Sequence, residues 1–241
     1  METQTDGIVT ANIVRKKGIA LTIVSGRGSC PVEMVTAMAM QSWPTNISLL
    51  MTNVYGMQTD AGRIRAVQEA RQKSCKYIWF VDDDTVPPMD AGRHLMYLLD
   101  QNGPPHGKVM VAGGIYCTRS SPPEPIVYME ACAGPHWDWK VGETFKCWGL
   151  GTGCMMINLD VFDHLPEPWF LTSTDSALAQ ETDDLYFCKK VAAAGFEIMA
   201  HGGILCHHYD MERGAVYMLP RNSVPYRDRI ADPREPSIAK A

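Results

Sequence analysis

The sequence predicts an α/β fold in which helices flank a central, mostly parallel sheet, and two patterns support this. Short apolar runs alternate with helical segments between residues 19 and 112, which is typical of strand–helix–strand units with right-handed crossovers. The most apolar run, residues 77–81, is bounded by turn residues, as expected for a strand covered on both faces. The chain has 241 residues and 46% hydrophobic content, which is ample for a core.

Four strands and three helices are predicted in the first half of the chain. The strands are residues 19–24, 47–51, 77–81 and 108–112, and the helices begin near Pro31, span 61–73 and lie near 89–101. In the second helix Ile64, Val67 and Ala70 recur at helical spacing, so this helix has one apolar side. Each of the first three strands is therefore followed by a helix that can cover the sheet.

The second half is less regular. Prolines, aromatic residues and short β-like runs replace the alternation over residues 117–147. A helix is then expected from Glu181 to Gly195, followed by strands over 197–200 and 204–210. The tail 220–241 contains four prolines and mixed charge, which predicts an extended segment.

Three consecutive aspartates, Asp82, Asp83 and Asp84, follow the apolar run at 77–81 and precede a proline turn. Ligands of open α/β sheets gather beyond the carboxyl ends of such strands. In an extended segment Asp82 and Asp84 leave the chain on one side, so they could share Mn²⁺ or Mg²⁺. An acidic turn is the alternative, although three adjacent like charges repel each other unless a positive group joins them.

A second acidic cluster, Glu181, Asp183 and Asp184, stands at the start of the predicted 181–195 helix. Helix capping accounts for acidic residues at such a position. A carboxylate held there and facing a cleft could equally act as a general base. Further along, His207 and His208 end the last predicted strand on opposite faces, so at most one is expected to reach a given metal.

A glycine turn, Gly151-Thr-Gly153, precedes an apolar strand. It lacks the spacing of a dinucleotide fingerprint or of a P-loop, which favours a tight turn unless a ligand packs against the glycines. Trp148 and Trp169 lie in the same half of the chain. They are interpreted either as core residues or as platforms for sugar rings or bases.

Net charge and hydropathy narrow the possible partners. The formal net charge is −5 and the longest basic run is Arg15-Lys16-Lys17, which does not support a broad nucleic-acid interface. The first residues lack the basic start and apolar centre of a secretory signal, and no stretch approaches the roughly 18 apolar residues of a membrane helix. We therefore expect a cytoplasmic protein without a membrane span.

Taken in order, these segments resemble the GT-A glycosyltransferases, particularly short family-2-like enzymes of bacteria and phages. The similarity extends over about residues 18–210. Its matching pieces are Asp82-x-Asp84, Gly113-Gly114-Ile-Tyr116 with Arg119 and Pro122, Gly151-Thr-Gly153, Pro168-Trp169-Phe170, Asp183-Asp184 ahead of Gly195, and the last strand reaching His208. The resemblance implies one GT-A domain over residues 1–219, with a nucleotide-sugar half at about 18–112 and an acceptor half at 113–219.

The resemblance also implies roles for individual residues. Contacts to the donor are expected from Ser25, Arg27, Arg63, Asp82, Asp83, Asp84 and Gly114. Contacts to the acceptor or its sugar are expected from Tyr116, Arg119, Trp148, Gly151, Gly153, Trp169 and Glu181. A divalent cation would bind Asp82, Asp84 and a histidine, and His208 matches the family slightly better than His207. Asp184 is the expected catalytic base, with Asp183 and Glu181 as competitors.

The activity implied by the resemblance is metal-dependent transfer of a hexosyl or pentosyl group from a UDP- or GDP-sugar to an acceptor hydroxyl. Inversion is the expected stereochemical outcome of a single displacement, and retention is the alternative. The acceptor could be a glycan, a protein or a modified DNA base. A haloacid-dehalogenase-type phosphatase is an alternative, because Val81-Asp82-x-Asp84-x-Val86 fits its nucleophile motif, although that motif normally follows the first strand. A non-catalytic nucleotide- or sugar-binding module is a third possibility and would need neither base nor metal.

Overall fold

The computed structural model describes residues 17–172 and 182–219. The strands in this part of the chain are β1 (Lys17–Ser25), β2 (Ile47–Tyr55), β3 (Tyr77–Asp82), β4 (Thr85–Val86), β5 (Val109–Ile115), β6 (Val127–Tyr128), β7 (Thr144–Cys147), β8 (Gly149–Leu150), β9 (Cys154–Asn158), β10 (Glu197–Leu205), β11 (His207–Asp210) and β12 (Ala215–Tyr217). The helices are α1 (Val32–Ala39), α2 (Thr59–Gln72), α3 (Ala91–Asn102), α4 (Asp183–Ala193) and a 3-10 helix at Leu159–Asp163.

Seven strands form the central sheet in the order β2-β1-β3-β9-β5-β10-β7. Strands β2, β1, β3, β5 and β10 run in one direction, whereas β9 and β7 run in the other. The predicted α/β fold with a mostly parallel central sheet and flanking helices is confirmed. The insertion of antiparallel β9 between β3 and β5 makes the sheet mixed. The alternation of strands and helices along the sequence does not predict this insertion.

The central strand β3 is buried on both faces, as predicted from its uninterrupted apolar run. On one face Trp79 packs in a cluster with Met34 of α1 and Leu95 of α3. On the other face Phe80 belongs to a cluster that includes Phe187 of α4. Each such side chain contributes about 1.5–3 kcal/mol by leaving water, so β3 holds the helices of both layers to the sheet.

A second, three-stranded sheet brings the end of the chain to the end of β3. Its order is β12-β11-β4, and β4 lies just beyond the three aspartates. His208 of β11 stands opposite Thr85, and the backbone N–H of Tyr209 donates to the carbonyl oxygen of Asp84 at 2.7 Å. The last strands of the domain therefore meet the acidic turn directly.

Two sequence predictions concern segments that reach beyond the residues that the structure describes. The helix predicted from Glu181 to Gly195 corresponds to α4, but Glu181 itself and the predicted extended tail 220–241 lie outside the described residues. Across residues 17–172 and 182–219, no helix is long and apolar enough to cross a membrane.

The glycine turn before β9 is packed against the aromatic ring of Tyr116. A β-carbon on Gly151 would overlap the Tyr116 hydroxyl, and one on Gly153 would lie 2.8 Å from the ring carbon Cζ. The Gly153 N–H also donates to the Tyr116 hydroxyl oxygen at 3.2 Å. The two glycines therefore allow β9 to approach the end of β5 closely.

We expect Gly151→Ala to lower the free energy of unfolding by about 1–3 kcal/mol, because the added methyl group overpacks the contact with Tyr116. Urea denaturation measures the change. Gly134→Ala is the matched control, since no atom of the described residues lies within 4 Å of its β-carbon position. Equal stabilities of the two variants would contradict this account of the turn.

Candidate active site

Charged side chains converge at the edge of the sheet where the parallel strands end. Arg27 follows β1, Asp82 ends β3, and Arg119 follows β5. Because β9 runs in the opposite direction, its amino end and the glycine turn before it lie at this same edge. We call this group the carboxyl-edge site, and it occupies the position where open α/β sheets bind ligands.

Asp83 is held by the loop that follows β1. Nη2 of Arg27 donates to Oδ1 of Asp83 at 2.7 Å, and the Ser25 hydroxyl donates to Oδ2 of Asp83 at 2.6 Å. The Ser25 oxygen in turn accepts the backbone N–H of Gly28 at 2.8 Å. Ser25 and Arg27 therefore brace the acidic turn.

Asp84 attracts three cationic or potentially cationic side chains. Its Oδ2 accepts hydrogen bonds from Arg27 at 2.7 Å and from Arg119 at 3.1 Å, while its Oδ1 lies 3.4 Å from Nε2 of His208. Burial alone would raise the pKa of Asp84. A proton on Nε2 of His208, which then donates to Asp84, acts with Arg27 and Arg119 to outweigh burial and lower that pKa to about 2. Asp84 is therefore ionised at neutral pH.

The hydrogen bond between His208 and Cys117 determines the role of each ring nitrogen of His208. Nδ1 lies 2.6 Å from the carbonyl oxygen of Cys117, so it carries hydrogen and donates to that oxygen. In the neutral ring, Nε2 then presents its lone pair to the Asp84 carboxylate. Two facing acceptors repel each other unless a proton or a metal cation lies between them.

This arrangement fits the divalent cation that the resemblance implies. Metal-binding histidines usually donate their second ring N–H to a carbonyl or a carboxylate, as His208 does. Two cis ligands at about 2.1 Å from one ion lie about 3 Å apart, close to the spacing of Nε2 and Asp84 Oδ1. In the described residues, no three His, Cys, Asp or Glu side chains form a complete metal site. A cation held at Asp84 and His208 would take its other ligands from substrate phosphates and water.

Asp82, the second predicted metal ligand, faces Arg63 instead. Arg63 is only 3% exposed, and its Nη2 donates to Oδ1 of Asp82 at 2.8 Å while Nη1 donates to Asp183. Burial raises the pKa of Asp82, and the positive charge of Arg63 opposes that rise. Arg63 thereby joins the end of β3 to the start of α4. Because Arg63 is so deeply buried, the structure does not support its predicted contact with the nucleotide.

Asp184 has a different environment from Asp183. Its Oδ1 accepts hydrogen bonds from the Thr182 hydroxyl and from the Leu185 backbone N–H at 2.8 Å. Burial raises the pKa of Asp184, and the negative charge of Asp183 raises it further. A carboxylate of raised pKa accepts a proton more readily near neutral pH. The hydrogen bond from Leu185 is one that carboxylates at helix starts commonly accept. Asp184 can therefore stabilise the start of α4 and also act as a base.

The residues predicted to contact an acceptor do not form one exposed surface. Tyr116 is 5% exposed, and its ring packs edge-on against His208 with centroids 5.3 Å apart. Trp169 is 4% exposed, donates to the Leu165 carbonyl at 3.1 Å and packs against Phe162. The structure does not support the predicted sugar contact by Trp169, which is a core residue.

The glycines and Trp148 are placed as follows. Gly151 and Gly153 pack against Tyr116. A β-carbon on Gly114 would lie 3.0 Å from the carbonyl oxygen of Ile204. Close packing therefore accounts for the glycine at each of these three positions without a ligand. Trp148 is partly buried. Arg119, predicted on the acceptor side, contacts Asp84 beside Arg27.

Two groups in the site were not predicted. The Cys117 carbonyl orients His208, and no side-chain pattern reveals a backbone contact of this kind. The Thr85 hydroxyl is buried without a hydrogen-bond partner in the part of the chain that the structure describes. Thr85 follows Asp84 directly, so its place after the aspartates was the available signal.

No protein-family model and no curated protein matches this sequence. Among solved structures, the chain is similar to A197 from STIV, with a TM-score of 0.60 and 16% sequence identity. The match covers 85% of this chain and 91% of that one. The fold is GT-A-like. At this identity the likeness concerns the fold, and activity must be argued from the site.

We expect Arg63→Met to lower the free energy of unfolding by about 3–5 kcal/mol, because it leaves Asp82 and Asp183 without their shared cation. Denaturation at neutral pH measures the loss. Arg65→Met, an exposed position on the same helix, serves as the control and should change stability little. If both variants unfolded alike, the Arg63 ion pairs would not be what holds α4 to β3.

Proposed function

We propose that this protein is a glycosyltransferase that moves a sugar from a UDP- or GDP-sugar to an acceptor hydroxyl, assisted by Mn²⁺ or Mg²⁺. The observation that carries the proposal is the convergence of His208, Arg27 and Arg119 on Asp84 at the edge that also holds Asp184. One carboxylate is kept ionised among cationic groups, and the other has a raised pKa. Two carboxylates tuned in opposite directions suit a reaction that needs both charge stabilisation and proton transfer. The GT-A-like fold supports this reading.

Charge balance supports a role for a cation. Five carboxylates at the site face three guanidinium groups, so carboxylates outnumber the permanently charged cations by two. The carboxylates are Asp82, Asp83, Asp84, Asp183 and Asp184, and the guanidinium groups are Arg27, Arg63 and Arg119. A diphosphate adds more negative charge, so it would be repelled without an added cation. When bound at Asp84 and His208, the divalent ion would supply charge that stabilises the leaving diphosphate.

Proton transfer is assigned to Asp184. The carboxylate accepts the proton of the acceptor hydroxyl, and the acceptor oxygen forms a bond to the anomeric carbon. The bond from that carbon to the phosphate oxygen breaks, and its electron pair leaves with the nucleoside diphosphate. A single displacement of this kind inverts the anomeric configuration. Asp183 is less suited to be the base, because Arg63 already occupies its carboxylate.

The two other functions have less support. In a phosphatase of the haloacid-dehalogenase type Asp82 would be the nucleophile, but its Oδ1 accepts a hydrogen bond from the buried Arg63. A non-catalytic binding module would need neither a cation site at Asp84 and His208 nor a base at Asp184. The acceptor could be a glycan, a protein or a modified DNA base, and the net charge of −5 gives duplex DNA no advantage.

We expect His208→Ala to weaken Mn²⁺ binding about tenfold or more, because it removes the nitrogen that faces Asp84. His207→Ala, the adjacent position on the opposite face of β11, is the matched control and should change the affinity much less. Calorimetric titration with Mn²⁺ compares the two variants. Equal affinities would remove His208 from the cation site.

Asp184→Asn should lower the transfer rate about a hundredfold or more while donor binding survives, since the amide keeps the shape but cannot accept the proton. Asp183→Asn, its neighbour, should lower the rate less. A donor screen with hydrolysis-resistant UDP- and GDP-sugars measures binding, and product formation measures transfer. Near-normal turnover by a folded Asp184→Asn protein would exclude this residue as the base.

A further inference from the structure

Two arginines share one carboxylate oxygen at the carboxyl-edge site. Arg27 and Arg119 both donate to Oδ2 of Asp84, at 2.7 and 3.1 Å, although they come from loops that follow different strands. Their side chains are 33% and 39% exposed, so solvent and solutes can reach them. The fold thus holds two guanidinium groups side by side on the rim of the site, with Asp84 as their common partner.

This pairing conflicts with cation binding at the same carboxylate. A divalent ion at Asp84 would withdraw electron density from Oδ2 and would repel both guanidinium groups at short range. Arg27 would keep its hydrogen bond to Asp83, whereas Arg119 has Asp84 as its ion-pair partner among the described residues. Each arginine would then have donors available for another anion. Phosphate oxygens match the planar fork of a guanidinium group better than any other common anion except a carboxylate.

We infer that Arg27 and Arg119 form a phosphate subsite that Asp84 masks until a divalent cation binds that carboxylate. The inference rests on the proposed function, and it adds a mechanism by which the cation and the nucleoside diphosphate bind cooperatively. The cation frees the arginines for the diphosphate, and the diphosphate, by holding the arginines, frees Asp84 for the cation. Such coupling is reciprocal by thermodynamic necessity.

The masked subsite predicts that replacing one arginine changes the affinity for Mn²⁺ and the affinity for the diphosphate in opposite directions. Replacing an arginine removes a competitor from Asp84, so Mn²⁺ alone should bind more tightly. The same replacement removes a phosphate donor, so the diphosphate should bind more weakly. An arginine that merely kept Asp84 in position would, when replaced, weaken the binding of both.

Calorimetry tests this with Arg27→Gln, Arg119→Gln and the control Arg71→Gln. Arg71 has a matching 37% exposure and pairs with Asp163, beyond the end of β9 and at the opposite edge of the sheet. Each protein is titrated with Mn²⁺ alone, and then with UDP and GDP in saturating Mn²⁺. Relative to the control, we expect Mn²⁺ affinity to rise about threefold to tenfold and diphosphate affinity to fall about tenfold to a hundredfold.

The outcomes separate this inference from the proposed function. If the unmodified protein bound neither Mn²⁺ nor either diphosphate, the proposed function would fail and the subsite with it. If it bound both, but the two variants matched Arg71→Gln or lost affinity for both ligands, only the masked subsite would be wrong. Thermal unfolding confirms that each variant is folded, and Arg119→Gln, which removes a single hydrogen bond to Asp84, provides the test if Arg27→Gln is unstable.

Discussion

Charge compensation at the carboxyl edge of the sheet is the constraint on which the rest of the site depends. Three consecutive aspartates and two at the start of α4 would repel one another if no positive groups stood between them. The positive groups come from α2 and from the loops after β1 and β5. Each lies far from the aspartates in the sequence, so the acidic turn is stable only once the sheet has brought all of these segments together.

The fold could be predicted largely because its signals are local. The strand at 77–81 and the helices before and after it follow from apolar periodicity within a few residues, and the structure places them where they were expected. The position of β9 could not be predicted this way. An apolar run of five residues suits any central place in a sheet, and only its pairing with β3 and β5 determines direction and neighbours.

The site was predictable in outline but not in its pairings. The place of Asp82, Asp83 and Asp84 follows from the end of a buried strand, which a sequence reveals. The partner chosen by an arginine depends on three-dimensional proximity, so Arg63 could not be recognised as a buried link and Arg119 could not be placed beside Arg27. The role of an aromatic residue is equally ambiguous in a sequence, because a tryptophan such as Trp169 can pack in a core or stack against a sugar ring.

The antiparallel insertion of β9 also bears on how the chain becomes folded during synthesis. When the ribosome has released the first half, β3 can pair with β1 but still lacks its other neighbour, and β5 has no partner at all. Both edges remain open until residues 154–158 emerge, and β5 gains its second neighbour only with β10. Residues 18–112 alone therefore lack the strand partners that complete their sheet, and nascent chains that stop before β9 expose apolar strand edges that invite chaperone binding.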